Sequence, residues 1–364
     1  MERINCLICN GPTDGADAKI APFLSKYCEL GQDKTEIRYC HACDFAFFKR
    51  RLTDTEASRL YSNYRGDEYN AVRLSVEPSY APYITSFSDR LSGDHITRIR
   101  DHLDLVDVYP ELNELKNVLD FGGNGEIPGR IFRNSKVRVD DLSAGSTDEG
   151  IKHDLIFASN VFEHISDPVP LLESLAARLH PEGVLFVDVP SPSQASLSEG
   201  LLWQCEHFGE LYEMHEHINH FSKRSLNRLV RAAGLLPVFE YKSRHTCHSI
   251  LAVFESSDIA KRLIPLKEAR ALLYETKIVR AEARSAAESA WAASNSAADR
   301  TAKTLSDRLD VAVHDIAQQI ALQSVSQSER EELTRELARV YQSVSWRITA
   351  PLRLLKASFS KLLD

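Results

Sequence analysis

The stretch Val118-Leu119-Asp120-Phe121-Gly122-Gly123-Asn124-Gly125 decides the fold. Its first residues are mainly apolar and predict a buried β-strand, and the glycines after them predict a tight turn. Glycine lets a backbone approach a ligand closely, and a helix that begins after such a turn favours polar or anionic groups. The stretch therefore predicts a strand and turn of the nucleotide-binding type, with a short helix from Ile131 onward.

The segments that follow alternate between strand and helix patterns. Lys136–Val139 predicts a second strand that ends at Asp140-Asp141, where folds of this type hold ribose hydroxyls. Further strands are predicted at 154–160 and 183–189, with a helix at 170–179 between them. Continuous apolar strands that alternate with helices are typical of a parallel, doubly wound sheet, so the fold class is α/β.

Two pairs of cysteines near the N-terminus predict a metal site. Cys6-Leu-Ile-Cys9 and Cys40-His-Ala-Cys43 are C-x2-C knuckles, thirty residues apart. Two knuckles supply four thiolates for a tetrahedral zinc ion, and a site filled by four cysteines is structural. The alternative is a redox C-x-x-C pair. The predicted module is too short for a core of its own, so one structural Zn²⁺ would stabilise it.

Composition limits the function classes. The 364 residues are 43% hydrophobic and 26% charged, as in ordinary globular proteins, and the net charge of −8 argues against a general nucleic-acid binder. The sequence shows neither a secretory signal pattern nor a run of 18 apolar residues. These features predict a cytoplasmic protein.

The segments on either side of the predicted sheet differ in character. An aromatic-rich segment from Phe45 to Tyr83 either packs the zinc module onto the next domain or forms a lid over a substrate. All 15 glycines lie at or before Gly234, and residues 266–344 are rich in helix-forming types. Apolar residues at coiled-coil spacing predict self-association, and a helix folded back onto the core is the alternative. They are Leu309, Val313, Ile316 and Ile320, and then Leu333, Leu337, Val340 and Val344.

The order of these segments resembles class I S-adenosylmethionine-dependent methyltransferases, and most closely the sugar C-methyltransferases with an N-terminal zinc-binding domain. The paired knuckles, Leu119–Asn124 and the 154–168 segment with its Glu163-His164-Ile-Ser-Asp-Pro carry the resemblance. Met214-His-Glu-His217-Ile-Asn-His-Phe-Ser222 is similar to that family's Tyr-His-Glu-His-x-x-x-Phe-Ser segment. The resemblance covers residues 1 to about 255.

The resemblance implies S-adenosylmethionine as cofactor and a sugar as methyl acceptor. His217 matches the family's proposed general base, and a neutral histidine suits the removal of a proton. Asp141 would hold the ribose, with Asp140 as second choice. The residues implied to bind the cofactor are Asp120, Gly122, Gly123, Asn124, Gly125, Asp141, Asn160, Val161 and Phe162.

Three departures from the family pattern favour a second hypothesis. Glu126 stands where the cofactor loop usually has its third glycine, and Met214 replaces the tyrosine. Only twelve residues separate Asp141 from Asp154, which leaves no room for the usual helix, strand and adenine-contacting acid unless Asp148 substitutes. The alternative to an enzyme is therefore a catalytically degenerate scaffold or regulator of a polysaccharide assembly complex.

The histidines near His217 also have other interpretations. His207, His215, His217 and His220 could be surface or hydrogen-bonded structural residues. A second metal site at His215, His217 and His220 is a further possibility.

The C-terminus carries a pattern of its own. Ser345-Trp-Arg-Ile-Thr-Ala-Pro-Leu-Arg353 resembles a signature at the ends of bacterial cell-surface polysaccharide enzymes. Residues 347–364 also contain an apolar stripe and four basic residues, so this helix would lie on the inner face of the cell membrane or pack on a protein neighbour.

The sequence thus predicts five regions in chain order. They are a zinc-binding module (1–50), a helical connector or lid (51–112), a Rossmann-like methyltransferase domain (113–256), a helical coiled coil that makes a homo-oligomer (257–344), and a basic amphipathic tail (345–364).

Overall fold

The computed structural model describes residues 2–82, 84, 93–140, 150–190, 212–242 and 247–293, with residues 303, 307, 310, 311 and 335. The chain divides into two compact units. The first comprises Met1–Val106 and Pro110–Lys261, and the second comprises Asp107–Tyr109 and Arg262–Asp364.

The described elements are mixed α and β, which confirms the predicted fold class. The strands are β1 (Asp14–Ile20), β2 (Lys34–Cys40), β3 (Phe45–Phe48), β4 (Asn117–Phe121), β5 (Lys136–Asp140), β6 (His153–Ser159), β7 (Leu179–Pro190), β8 (Tyr212–Met214), β9 (Asn219–Phe221), β10 (Leu235–Lys242) and β11 (Cys247–Phe254). The α-helices are α1 (Pro22–Tyr27), α2 (Asp54–Ser62), α3 (Asp67–Val76), α4 (Gly93–Val108), α5 (Glu126–Ile131), α6 (Pro168–Arg178), α7 (Lys223–Ala232), α8 (Asp258–Leu263) and α9 (Lys267–Ala293).

The larger sheet of the first unit has the strand order β10-β11-β7-β6-β4-β5. Strands β5, β4, β6 and β7 are parallel, whereas β11 runs antiparallel to β7 and to β10. The central strands are buried along their length because helices cover a parallel sheet, and Leu119, Ile156 and Leu185 have no exposed surface. This is the Rossmann-like sheet that the alternating pattern predicts.

Strand β4 pairs with β5 on one side and with β6 on the other. Within the described residues β5 is therefore the outermost strand, and nothing beyond it supplies the extra strand of the family pattern. This agrees with the short Asp141–Asp154 link. Asp141 and Asp148 themselves lie outside the described residues.

The smaller sheet joins distant parts of the chain, in the order β8-β1-β2-β3-β9. Strand β8 is parallel to β1, and β9 is antiparallel to β3. Both edge strands therefore come from residues 212–221, within the region predicted as the Rossmann-like domain. The N-terminal module and that domain share one sheet and belong to one compact unit.

The two faces of the smaller sheet bury different cores. Phe45 and Phe47 point to the core of the larger sheet, which also contains Cys6, Cys40 and Cys43. Phe48 alternates to the opposite face, as a pleated strand requires, and packs among residues of α1, α2 and α3.

The aromatic residues before Tyr83 mainly serve packing. Tyr69 is fully buried, and its ring lies 4.6 Å from that of Phe23 and 5.5 Å from that of Tyr27. Tyr61 and Tyr64 are only partly buried and remain available to line a cleft. Tyr83 lies outside the described residues.

The second unit begins with helical structure. Helix α9 has 27 residues, a length of roughly 40 Å at 1.5 Å per residue. Its Arg270 guanidinium lies 4.7 Å from the Tyr109 ring centre, and Lys277 pairs with Asp107 at 2.9 Å. The coiled-coil positions from Leu309 to Val344 and the tail at 345–364 lie outside the described residues, apart from Asp310, Val311 and Arg335. The coiled coil stays a prediction.

None of the described helices is both long enough and apolar enough to cross a membrane.

Candidate functional site

The four knuckle cysteines converge on one point. Their sulfur atoms all lie within 4.8 Å of one another, and Cys9 Sγ is 3.7 Å from Cys40 Sγ. Four thiolates around one ion with metal–sulfur bonds of about 2.3 Å would be about 3.8 Å apart in a tetrahedron. Cys6, Cys9, Cys40 and Cys43 are thus placed as ligands of one tetrahedral ion would be, and Cys28 is buried in the other core.

Both knuckles turn in the same way. The residue after each second cysteine, Asn10 or Asp44, has a positive φ of 55° or 53°. Asparagine and aspartate tolerate this left-handed conformation better than most residues. The main-chain amide of Ile8 donates to Cys6 Sγ at 3.4 Å, which orients that sulfur.

One arginine from outside the N-terminal module contacts the cysteine cluster. Arg228, on α7, donates from Nη1 to Cys43 Sγ at 3.5 Å. Burial raises the pKa of Cys43 to about 11 and Arg228 opposes this shift, so a metal cation or a proton must accompany the buried sulfurs.

The glycine-rich turn after β4 depends on its glycines. Gly122 and Gly125 have φ angles of 75° and 80°, which side chains rarely adopt. A Cβ atom at Gly122 would lie 2.7 Å from Val161 Cγ2, and one at Gly123 would lie 2.2 Å from Asp120 Oδ2. The turn is therefore closed tightly against both neighbours and presents bare backbone.

Asp120 holds the turn from beneath. Its Oδ2 accepts a hydrogen bond of 2.7 Å from the Gly125 amide. Burial raises the pKa of Asp120 to about 6, while the Gly125 hydrogen bond and Arg98 oppose this shift. The carboxylate is still mainly ionised at neutral pH and can face an ammonium group.

Helix α5 begins directly after the turn, at Glu126, so the prediction of a helix from Ile131 onward was wrong in its position. The positive φ of Gly125 redirects the chain, and Asn124 Oδ1 accepts from the Glu126 amide at 3.0 Å. The Glu126 carboxylate pairs with Arg130 at 2.9 Å. That ion pair reduces the repulsion that Glu126 would exert on a ligand carboxylate.

Asn160 and Val161 lie where β6 ends, beside the turn. Asn160 has a φ of 55°, and its amide donates to Asp188 Oδ1 at 2.9 Å at the end of β7. Val161 contacts Gly122, and Phe162 after it is fully buried. The structure thus brings together most of the predicted cofactor residues at the carboxyl ends of adjacent parallel strands, where doubly wound folds bind ligands.

Two acids were predicted to hold the ribose. The first of them, Asp141, lies outside the described residues. The second choice, Asp140, pairs with Arg178 Nη2 at 2.8 Å, and its carbonyl accepts from the Gly122 amide at 2.8 Å. Asp140 therefore has a structural role at the end of β5.

His217 lies in the loop between β8 and β9. Its contact is with His164, the last residue of the 3₁₀ turn that follows Asn160 and Val161. Its ring reaches solvent and lies 4.8 Å from the His164 ring, at an angle of 73°. Desolvation by the surrounding protein lowers the pKa of His217, although the nearby Glu216 carboxylate opposes this shift. His217 is therefore neutral at physiological pH, as a general base must be.

The sequence analysis did not predict the hydrogen-bond network of Glu216, the residue before His217. Glu216 is 7% exposed and accepts hydrogen bonds from the Tyr69 hydroxyl and from Arg73 Nη1, the latter at 2.6 Å. Arg73 also lies 4.0 Å from the Tyr80 ring centre. The Glu-His dipeptide of the 214–222 motif was the only available signal, because Tyr69 and Arg73 are about 145 residues away in sequence.

The other histidines are not grouped with His217. His215 lies 3.3 Å from Glu213, and His220 is part of β9, where its ring contacts Phe48. Within the described residues, neither belongs to a cluster that could bind metal, so the structure does not support the alternative of a metal site at His215, His217 and His220. His207 lies outside the described residues.

Met214 is fully buried among the apolar side chains behind the smaller sheet. The position that carries a tyrosine in the family pattern therefore supplies packing here and no hydroxyl.

Comparisons with known proteins agree with this architecture. Residues 94–238 match a protein family described as a methyltransferase domain. A comparison with curated protein sequences gives no match.

Solved structures with a similar fold are methyltransferases by name. An O-methyltransferase family protein from Burkholderia thailandensis is 13% identical, with 52% of this chain and 63% of that chain covered and a TM-score of 0.35. Human N-acetylserotonin methyltransferase with bound S-adenosylmethionine is 16% identical, with coverage of 57% and 76% and a TM-score of 0.33. A 1,6-didemethyltoxoflavin-N1-methyltransferase from B. thailandensis is 15% identical, with coverage of 60% and 93% and a TM-score of 0.34.

The chain spans less than two thirds of the first of these structures. Residues 94–238, which match the methyltransferase-domain family, contain the glycine-rich turn and the parallel strands of the larger sheet.

Proposed function

We propose that this protein is an S-adenosylmethionine-dependent methyltransferase with His217 as general base. One observation carries the proposal. Val161 lies against Gly122 of the glycine-rich turn, and three residues later His164 lies against His217. A single 3₁₀ turn, Phe162–His164, therefore leads from the cofactor residues Val161 and Phe162 to the histidine that contacts the candidate base.

The described residues fit the cofactor. Bound S-adenosylmethionine would supply an electrophilic methyl group on a sulfonium. Gly122 and Gly123 leave a cradle of bare backbone, and the buried Asp120 carboxylate faces the turn. Asp120 would neutralise the ammonium group of the methionine part, while Asn160 and Val161 would line the floor.

His217 would remove the proton of the acceptor. Its lowered pKa keeps a ring nitrogen free of a proton at neutral pH. Alignment of donor and acceptor supplies much of the rate enhancement in such a displacement. The contact with His164 and the Glu216–Tyr69–Arg73 network would hold the loop that carries His217.

A sugar is the acceptor class that we propose, nucleotide-linked or within a growing surface polysaccharide. The support is the resemblance of the 214–222 segment to that of sugar methyltransferases. The Tyr61 ring lies 5.7 Å from the His164 ring, beside His217, and such aromatic and imidazole groups suit a sugar face and its hydroxyls.

We also propose that the four-cysteine cluster binds one structural zinc ion. The 3.7 Å separation of Cys9 and Cys40 matches a tetrahedral thiolate site, and all four residues are in contact with the core or at its rim. With four sulfur ligands the ion would have no open position for catalysis.

A non-catalytic scaffold is the second candidate function. The observation in its favour is the pairing of Asp140 with Arg178, together with the position of β5 as outermost described strand. The ion pair makes Asp140 less available to the ribose. Among the described residues, no strand beyond β5 contributes a contact to the adenine. Under this proposal the domain would bind cofactor weakly and regulate a polysaccharide assembly complex.

The remaining proposals concern the C-terminus. A homo-oligomer through the helical region, contact of the basic tail with the inner membrane surface and a polysaccharide assembly partner rest on the sequence pattern alone. Size measurement of the full chain and of a chain that ends at 344, with and without anionic vesicles, would test them.

Calorimetric titration of the full chain with S-adenosylmethionine tests the main proposal. Saturable binding supports it, and the lack of binding at millimolar cofactor would leave the scaffold as the better candidate. If the cofactor binds, His217→Ala should lose methyl transfer and keep cofactor affinity. His215→Ala, two residues away, is the matched control and should retain activity.

A further inference from the structure

A second group of possible metal ligands lies far in sequence from the cysteines. Glu163, His164 and His217 each place one ligand atom within 4.8 Å of the other two. Glu163 and His164 belong to the 3₁₀ turn Phe162–His164, and His217 belongs to the β8–β9 loop. Nothing in the sequence spacing predicts this group, because it forms only when the loop packs onto the turn.

Glu163 is the first reason to expect a cation. The residue is 1% exposed, and neither carboxylate oxygen has a hydrogen-bond partner among the described residues. An isolated carboxylate in an apolar interior is costly, and buried charges are normally paired or coordinate a metal. Its main-chain carbonyl accepts from the Ile218 amide at 2.8 Å, which fixes the position of the residue.

His164 is the second reason. Its Nδ1 lies 3.0 Å from the Glu216 carbonyl oxygen, and a carbonyl can only accept, so Nδ1 carries the proton. Its Nε2 therefore has a free lone pair and lies 3.7 Å from Glu163 Oε1. A hydrogen bond from one ring nitrogen to a carbonyl is the usual outer-shell arrangement of a metal-binding histidine.

The distance between these two atoms suits a shared ion. With metal–nitrogen and metal–oxygen bonds of about 2.1 Å, two ligands of a tetrahedral ion lie about 3.4 Å apart. The observed 3.7 Å is too long for a hydrogen bond and close to that value. A cation between these two atoms would be bound by the Nε2 lone pair of His164 and by the Glu163 carboxylate.

His217 completes the group from the open side. Its ring reaches solvent, while Glu163 and His164 close the inner side. Two imidazoles and one carboxylate form a ligand set for borderline divalent ions, and three protein ligands leave a coordination position open.

We propose that Glu163, His164 and His217 form a second metal site, which binds a divalent first-row transition ion such as Zn²⁺. The inference does not require the chain to be a methyltransferase. It does share His217 with the proposed acceptor cleft, and a ring nitrogen that ligates a metal leaves the other protonated. The ion and the general base therefore exclude each other, so filling the site should inhibit methyl transfer without lowering cofactor affinity.

Metal content measures the site directly. The full-length protein is dialysed to equilibrium against micromolar Zn²⁺, and bound zinc per chain is determined by elemental mass spectrometry. We expect two zinc ions in the wild type and one in Glu163→Gln and in His217→Ala. Loss of a ligand should weaken the second site by at least about 100-fold, the upper end of the effect of losing an outer-shell partner.

The controls separate this site from its neighbours. His215→Ala should still bind two ions, because His215 lies outside the group. His217 is exposed, so His217→Ala keeps the test informative if Glu163→Gln fails to fold. One zinc in the wild type, or two in both variants, would overturn the proposal. Cofactor titration of the same samples tests the methyltransferase proposal separately, since either result can fail while the other stands.

Discussion

Arg51 should be one of the most important single residues for stability, and replacing it with methionine tests this. Arg51 is fully buried between the two sheets. Its five N–H groups make five hydrogen bonds to main-chain or amide oxygens. The acceptors are the carbonyls of Phe48 (3.1 Å), Ile218 (3.0 Å), Ile165 (2.7 Å) and Ser166 (3.1 Å), and Asn219 Oδ1 (2.7 Å).

The expected loss in the free energy of unfolding follows from two opposing contributions, the hydrogen bonds of Arg51 and the burial of its charge. Five hydrogen bonds from a charged donor are worth about 1.5–3 kcal/mol each, or roughly 7–15 kcal/mol if they were additive. Burial lowers the pKa of Arg51 to about 9, so the loss of solvation of the charged guanidinium offsets part of this gain. Because the bonds of one group are not additive, we expect a net loss of about 3–5 kcal/mol, the range for removing one member of a buried, hydrogen-bonded charged group.

Thermal unfolding of the full chain is the assay. For a unit of this size each 1 kcal/mol lowers the Tm by roughly 2–4 °C, so Arg51→Met should lower it by roughly 6–20 °C. Arg51→Lys should also be destabilised, because three donors on a flexible stem cannot replace the planar five.

Arg3→Met is the matched control. Arg3 also joins the two parts of the unit, through a 3.3 Å pair with Asp167, but both side chains are more than a third exposed. Such a pair contributes about 0–1 kcal/mol. A Tm change in Arg51→Met that is no larger than that in Arg3→Met would refute the reasoning.

Three further predictions concern the two candidate sites. Gly122→Ala should abolish cofactor binding and lower the free energy of unfolding by about 1–3 kcal/mol, because its Cβ would lie 2.7 Å from Val161 Cγ2 at a positive φ. Gly129→Ala, which has open space around it, is the control in the calorimetric titration. Since the pKa of His217 lies below the ordinary 6.5, kcat/KM should rise with pH only below 6.5 and stay level above it; an inflection above pH 7 would contradict the assignment. Cys43→Ser should release the structural zinc and lower the Tm, and full zinc content in that variant would show that Cys43 is no ligand.

Local patterns in the sequence were sufficient for much of the fold. Strand β4 and its turn follow from apolar residues and glycines that are adjacent in the chain, and the four cysteines follow from their spacing. The short link after Asp141 predicted the loss of a helix and a strand, and among the described residues no strand lies outside β5. These features depend on interactions over a few residues, which a single sequence records directly.

The rest depends on contacts between distant segments. Arg51 gave no signal, because its acceptors come from residues 48, 165–166 and 218–219. Strands β8 and β9 have three residues each, too few for a period-two pattern to predict them. The burial of Glu163 was equally hidden, since a glutamate in a polar Glu-His-Ile-Ser segment predicts a solvated side chain.

These missed contacts bear on how the N-terminal module relates to the candidate active site. Strand β9 pairs with β3 at Phe45–Phe47, directly after the second cysteine knuckle, and the loop before β9 carries His217. Asn219 donates to the carbonyls of Phe162 and Ile165 at 2.7 and 2.8 Å, on either side of His164. The cysteine cluster, the smaller sheet and the 3₁₀ turn therefore form one continuous support for His217. Under the proposed function, a structural zinc ion with no open coordination position would still affect methyl transfer, because its loss would loosen β3, then β9, and with them the position of the proposed base.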